Sequence, residues 1–290
     1  MAPRIPAVAG RFYPSEPAAC RDELTACVPT EFDEALPDHP WGGIVPHAGW
    51  ICSGAVVGRT VGAIARKRQP DTVVVFGAVH VRCDRRAAAY PYGAWRTPIG
   101  DVEIDSSLAA SVCETSDLVS PHPGVHRAEH SIEVVVPFIQ HLMPVAKILP
   151  IMTPPSEDAA AVGAAVGRAC RESGRNVAFL GSTDLTHYGP SYGFVPQGIG
   201  EAALEWATDV NDRRMIDLML ELRANEAVIE ACVHHNACGP GAIAATIAAC
   251  REMGAKRASL LAHTNSYEVL RARCDQSYAD AVGYAAVLFW

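Results

Sequence analysis

Three short apolar runs, each ending on residues that can do chemistry, constrain this chain more than any other feature. Gly42-Gly43-Ile44-Val45 stops at Pro46-His47-Ala48-Gly49-Trp50, Asp71-Thr72-Val73-Val74-Val75-Phe76-Gly77 delivers His80, and Asn176-Val177-Ala178-Phe179-Leu180-Gly181 delivers Ser182, Thr183, Asp184 and His187. Runs this short, apolar without alternation, suit strands buried on both faces of a parallel sheet. Helical patterns separate them. One opens at Ser53, an alanine-rich one spans Glu157 to Glu172 behind a capping Ser156, and one runs from Ala242 to Met253 after the turn Cys238-Gly239-Pro240-Gly241. Such alternation predicts crossover units and an α/β fold with a mostly parallel central sheet flanked by helices on both faces. Ligands of such sheets sit beyond the carboxyl ends of the strands. His47, His80 and the 182–187 segment are therefore placed where chemistry is done.

Around this frame the pattern predicts further strands over Ala146–Met152, Lys256–Thr264 and Ala281–Trp290, and a hairpin or edge excursion within 90–104. Asp105 is suited to cap a helix through Glu114, because its carboxylate can accept the free amides of a first turn. Glu129-His130-Ser131-Ile132-Glu133 begins another helical pattern, which Pro137 should kink or delay. Residues 201–235 read as mostly helical, with a break near Asp209–Asp212 and a new helix from Asn225. Residues 1–40 are proline-rich around one helical piece, Glu16–Ala26, and read as an N-terminal extension packed on the sheet. Apolar residues make up 49% and no linker-like gap follows residue 42, so residues 1–290 are expected to form one domain.

A net charge of −8 argues against a nucleic-acid partner, which would want clustered Lys and Arg. No apolar run approaches the length of a membrane span. No secretory pattern opens the chain, and none of the ten cysteines forms a Cys-x-x-Cys pair. A cytoplasmic protein with reduced thiols, most of them small core residues, is the expectation.

A lone histidine past a strand is ordinarily a structural, hydrogen-bonded residue. Two on strands joined by a single crossover are different, because successive strands often lie side by side and imidazole is the commonest metal ligand. Cys238 precedes a helix, whose N-terminus favours the thiolate that binds metals; it is otherwise a helix-start cysteine without a task. His234 and His235 beside it read as solvent-facing or outer residues. Asp184 and His187 share a face if their segment is helical. The carboxylate would then orient an imidazole for acid–base work, or simply cap a turn. Glu129 and Glu133 flank His130 on a helical pattern; they form a solvated face or hold a metal-bound histidine by its second nitrogen.

Pro46-His47-Ala48-Gly49-Trp50, Gly77-x-x-His80, Glu129-His130-Ser131-Ile132-Glu133 with Pro137-Phe138, Asp184-x-x-His187-Tyr188-Gly189 and Cys238-Gly239-Pro240-Gly241-Ala242-Ile243 together resemble the Memo family, as does the opening Arg4 through Pro14. The resemblance covers essentially the whole chain. It implies a fold similar to class III extradiol ring-cleaving dioxygenases and one redox-active metal, iron or copper, on His47, His80 and Cys238. Asp184 and His187 would line the same cavity, with His187 as the proton carrier held by Asp184, and Glu129, His130, Glu133 and Trp50 would stand behind the ligands. It also implies AMMECR-type and radical-SAM partner proteins. The family's usual Gly-Pro-Ser-His-His stretch reads Gly77-Ala78-Val79-His80-Val81 here, and Trp50 stands in place of a tyrosine. A thiolate third ligand is softer than the carboxylate of an extradiol iron site and favours copper or zinc. The expected activity is oxidoreductase-like, on a small substrate. A binding scaffold that holds a peptide or small molecule in the cleft, a ring-cleaving dioxygenase and a metal-free Cys238 nucleophile paired with His187 are the alternatives.

Overall fold

A computed structural model describes residues 2–32, 36–271 and 280–290; Cys274 lies outside them, and the other nine cysteines are free thiols. The strands are β1 (Gly42–Val45), β2 (Thr72–Gly77), β3 (Ala88–Ala89), β4 (Ala94–Thr97), β5 (Gly100–Glu103), β6 (Ser120–Pro121), β7 (Lys147–Met152), β8 (Val177–Ser182), β9 (His187–Tyr188), β10 (Ala258–Asn265) and β11 (Ala281–Phe289). The helices are α1 (Pro17–Cys27), α2 (Trp50–Lys67), α3 (Ser106–Thr115), α4 (Val136–Leu142), α5 (Ala159–Glu172), α6 (Glu201–Trp206), α7 (Arg213–Leu220), α8 (Glu226–His234), α9 (Pro240–Glu252) and α10 (Ser266–Arg271).

The main sheet runs β10-β11-β1-β8-β2-β7-β3-β6, with β9 paired to β11. Its centre, β1-β8-β2-β7, is parallel, while β11 and β3 close it on either side as antiparallel neighbours. The expected mostly parallel α/β sheet is present. β1 and β2 are not neighbours, however. The crossover through α2 skips one place and β8 later fills it.

Strands of the centre are buried on both faces, which is why they read as unbroken apolar runs. Ile44, Val74, Phe76 and Phe179 point into a core shared with α5 and α9. Their neighbours Val45, Val73, Val75, Ala178 and Leu180 point into a second core under α2 and α4. Gly181 lies so close to α9 that a Cβ there would stand 2.4 Å from Thr246 Oγ1.

Local chemistry sets the helix boundaries. Asp105 accepts the Leu108 amide at 3.0 Å and starts α3 as expected. α2 begins at Trp50, one turn before the predicted Ser53, whose hydroxyl instead donates to the Ala48 carbonyl. Pro137 falls in the first turn of α4 and delays that helix to Val136, so Glu129–Glu133 lie outside regular helix. Ser156 does not cap α5 with its side chain; its main-chain carbonyl accepts the Ala159 amide. Where a break was expected at 209–212, the helix continues through a π turn, Ala207–Asp212, that joins α6 to α7.

The N-terminal segment is fastened by a buried ion pair. Arg4 donates to Glu133 Oε2, to the His126 carbonyl and to the Glu129 carbonyl, each at 2.8 Å, and its guanidinium lies 4.2 Å over the Trp95 ring. The Glu133 carboxylate also accepts the Ala7 and Val8 amides and the Tyr13 hydroxyl. Removing one partner of a buried pair leaves the other charge uncompensated. Glu133→Ala is therefore expected to lower stability by about 3–5 kcal/mol, read as a fall in the urea midpoint. An unchanged midpoint would show that the N-terminal segment contributes nothing to the fold.

Candidate metal centre

The carboxyl ends of β1, β8 and β2 lie side by side and deliver His47, Asp184 and His80 to one cleft. The loop before α4 brings His130 to the same place. Ring nitrogens of His47, His80 and His130 all lie within 4.8 Å of one another. The His80 and His130 rings stack at 4.9 Å, and His47 meets both edge-on at 5.2 and 5.5 Å. His130, expected only behind the ligands, thus supplies a third imidazole to the cluster. Its sequence signal, one histidine between two glutamates, carried no indication of this because the convergence is set by a loop.

Hydrogen bonds fix which nitrogen of His47 and His80 faces the cleft. Ser182 Oγ donates its single proton to the Ser131 carbonyl at 2.6 Å. It can therefore only accept at 2.9 Å from His47 Nδ1–H, which turns the His47 Nε2 lone pair toward Cys238 Sγ. His80 Nδ1–H donates to Glu129 Oε1 at 3.0 Å, which frees His80 Nε2. Carbonyl and carboxylate acceptors behind imidazole are how metal-binding histidines are oriented. The donor set suits a metal ion: His47 and His80 each have Nδ1 occupied and Nε2 as the donor, and a sulfur stands beside His47. Among the described residues, however, the group of donors within 4.8 Å of one another is His47, His80 and His130 and does not include the expected Cys238.

Glu129 sustains this arrangement. Burial would raise its pKa, but hydrogen bonds from the His80 ring and from the His80 and Ser131 amides hold it well below the ordinary carboxylate value. The His130 amide donates to the same carboxylate at 2.8 Å. The bond from the His80 ring to Glu129 raises the pKa of His80 against the effect of burial. Burial and the neighbouring His80 and His130 push His47 well below its ordinary value, and burial lowers His130 too.

Cys238 Sγ lies 3.2 Å from His47 Nε2 and accepts the Asp184 amide at 3.3 Å. The helix start does not make it acidic. α9 begins two residues later on a proline, which has no amide to offer, and burial together with the Asp184 carboxylate pushes the thiol pKa up. Deprotonation here calls for a cation. Asp184 is itself buried, which raises its carboxyl pKa, and Oδ1 accepts the His47 amide at 2.7 Å.

Asp184 and His187 do not share a helix face, because residues 183–186 are irregular and His187 begins β9. His187 is held by a hydrogen bond from Nδ1 to the Leu185 carbonyl at 3.1 Å and meets the Tyr192 ring edge-on at 5.0 Å. Glu133 faces the N-terminal segment and away from the imidazoles. The Trp50 indole donates to the Val134 carbonyl and stacks on Tyr13, inside the core. His234 is half-buried, with Glu230 as its acidic neighbour, and His235 is exposed against Phe194. Ser182, which sets the His47 tautomer, was visible as a strand-end serine without an assigned task.

The Memo-like protein family model matches residues 4–288. The chain is 36% identical to a MEMO1 family protein of Thermococcus onnurineus over 299 residues, covering 99% of both chains. It is 37% identical to one of Pyrococcus abyssi, covering 98% of both, and 36% identical to one of Methanothermobacter thermautotrophicus, covering 97% and 98%. Among solved structures, an uncharacterized protein from Escherichia coli K12 is similar with a TM-score of 0.47 and 10% identity, over 78% of this chain and 91% of that one.

The two shifts beside the cleft predict opposite pH effects in metal-free protein. A depressed Glu129 contributes stability that is present above its ordinary value of 4.5 and is lost as pH falls toward its folded value. A raised His80 contributes stability that is present below its ordinary value of 6.5 and is lost as pH rises through its folded value. Urea midpoints across pH should therefore show a shallower acid limb in Glu129→Gln than in the native protein. Parallel acid limbs would contradict the role given to Glu129.

Proposed function

We propose that this protein, which belongs to the Memo family, is a metal-dependent oxidoreductase that acts on a small molecule held in the cleft above β1, β8 and β2. The observation that carries this reading is the convergence of His47, His80 and His130 nitrogens within 4.8 Å. His47 and His80, each with Nδ1 committed behind the ring and Nε2 as the donor, are the ligands, and Cys238 supplies a soft third donor beside His47. His130 stands as a further imidazole donor on the other flank. The metal is iron or copper; zinc would fill the site without redox chemistry.

When bound, such an ion supplies electron transfer and Lewis acidity to whatever enters the cleft. The chain does the rest. Ser182 and Glu129 hold the two imidazoles in a fixed orientation. Asp184 anchors the His47 backbone and the sulfur through its own amide. His187, with Nδ1 engaged by Leu185, offers Nε2 to take or give a proton at the substrate.

A sulfur donor speaks against extradiol ring cleavage, which uses a carboxylate beside two histidines. Burial also speaks against a metal-free thiol nucleophile. It keeps Cys238 protonated and its nearest imidazole, His47, neutral, so the pair is not the ion pair such chemistry needs. Family resemblance supports AMMECR-type and radical-SAM proteins as partners and a cytoplasmic setting. No helix among the described residues is long and apolar enough to cross a membrane.

Protein purified anaerobically without a metal-binding tag is expected to carry stoichiometric iron or copper by elemental analysis. His47→Ala and His80→Ala should abolish it. Glu129→Ala should weaken metal affinity by about 10–100-fold through loss of the His80 acceptor. Metal-free native protein whose Cys238 alkylates rapidly at neutral pH would overturn the reading.

A further inference from the structure

Two departures from regular secondary structure meet beneath the strand that carries His187. The π turn at Ala207–Asp212 buries both Asn211 and Asp212, each 1% exposed. The pairing of β10 with β11 shifts register between Leu260 and Ala262, just before His263. Such irregularities re-aim side chains and gather at functional sites. Here they aim at one point: Asp212 Oδ2 lies 3.1 Å from His263 Nε2, and Asp212 Oδ1 accepts the Thr186 amide at 2.8 Å.

The neighbouring strand makes room for this carboxylate. A Cβ on Gly283 would stand 2.0 Å from Asp212 Oδ2. Gly283 in turn exchanges backbone hydrogen bonds with both sides of the same loop. Its amide donates to the Thr186 carbonyl at 3.0 Å and its carbonyl accepts the Leu185 amide at 2.8 Å. Asn211 Nδ2 donates to Thr186 Oγ1 at 3.1 Å. Thr186 is thus held at its amide, carbonyl and hydroxyl, and the next residue is His187. A buried carboxylate is costly unless it is hydrogen-bonded and paired, and this one spends its two oxygens on a loop amide and a histidine from an edge strand.

We propose that Asp212, hydrogen-bonded to His263, is a positioning residue for His187: it pins the Thr186 amide so that the His187 ring keeps Nδ1–H on the Leu185 carbonyl and Nε2 toward the cleft. The proposal rests on the reading of His187 as proton carrier, and neither Asp212 nor His263 touches the imidazole cluster. It predicts that the two act on His187 orientation and leave metal loading alone.

The test uses the full-length protein labelled with nitrogen-15, with and without metal. Histidine ring resonances report the His187 tautomer, and hydrogen exchange reports the Thr186 amide. Asp212→Ala should speed Thr186 exchange by about tenfold to a hundredfold, the worth of a hydrogen bond to a charged group. It should also mix the His187 tautomers while metal stoichiometry stays native. Asp212→Asn, which keeps an oxygen for the Thr186 amide, should restore both signals toward native. If Asp212→Ala does not fold, His263→Gln, which removes the imidazole partner of Oδ2 and spares Oδ1, reads the same two signals with a smaller change expected. Native Thr186 exchange and an unmixed His187 tautomer in Asp212→Ala, or in His263→Gln where that variant decides, overturn the proposal. Failure of the native protein to load metal defeats the metal reading instead and leaves these two signals to be judged on their own.

Discussion

The carboxylate of Glu129 is the constraint on which the candidate centre depends. A buried carboxylate must be surrounded by donors or it loses its charge. The donors within reach are the His80 ring, the His80 amide, and the amides of His130 and Ser131. Satisfying that one group therefore settles the orientation of His80, the path of the loop that carries His130, and the position of Ser131. Ser131 then passes the constraint to the other side of the cleft, since its carbonyl takes the Ser182 proton that decides the His47 tautomer. Arg4 closes the set from below by donating to the Glu129 carbonyl while it neutralises Glu133. The imidazole cluster is the visible end of a chain of obligatory hydrogen bonds that starts at the N-terminal segment.

Much of the frame was legible in the sequence, and for a simple reason. Strands buried on both faces must be apolar at consecutive positions, so β1, β2 and β8 announced themselves, and the end of a parallel strand is where a cleft forms. His47, His80 and Asp184 do follow the carboxyl ends of three neighbouring central strands. What stayed hidden depends on contacts between distant segments. Nothing local says that β8 lies between β1 and β2, that Glu133 turns toward Arg4, or that the loop after residue 126 folds His130 onto His80. The Asp184 and His187 spacing suggested a helix face, but main-chain bonds from Gly283 hold that segment extended. Helix-start chemistry suggested an acidic Cys238, and burial overrides it.

The electrostatics of the cleft divide the imidazoles by environment. His80 rests on a carboxylate and gains basicity; His47, fully buried and beside two other rings, loses it. One sulfur and one buried carboxyl, Asp184, share the remaining space, and burial raises the pKa of both. A site whose thiol is held protonated by burial is arranged to welcome a cation, whose arrival would release the thiol proton.

The two-sided burial of the central strands has a further implication for how the chain finds its alignment. In a sheet with one wet face, sliding a strand by one residue turns its apolar set into water, and solvent forbids the error. Here both faces are oily, so water is indifferent to such a slip in β8. Steric exclusion takes over that duty. A slip would carry Leu180 or Ser182 into the slot now held by Gly181, against Thr246 of α9, where not even a methyl fits. The same glycine that lets a helix settle onto the sheet acts as a keyed notch, and the notch keeps the hydroxyl of Ser182 level with the ring of His47.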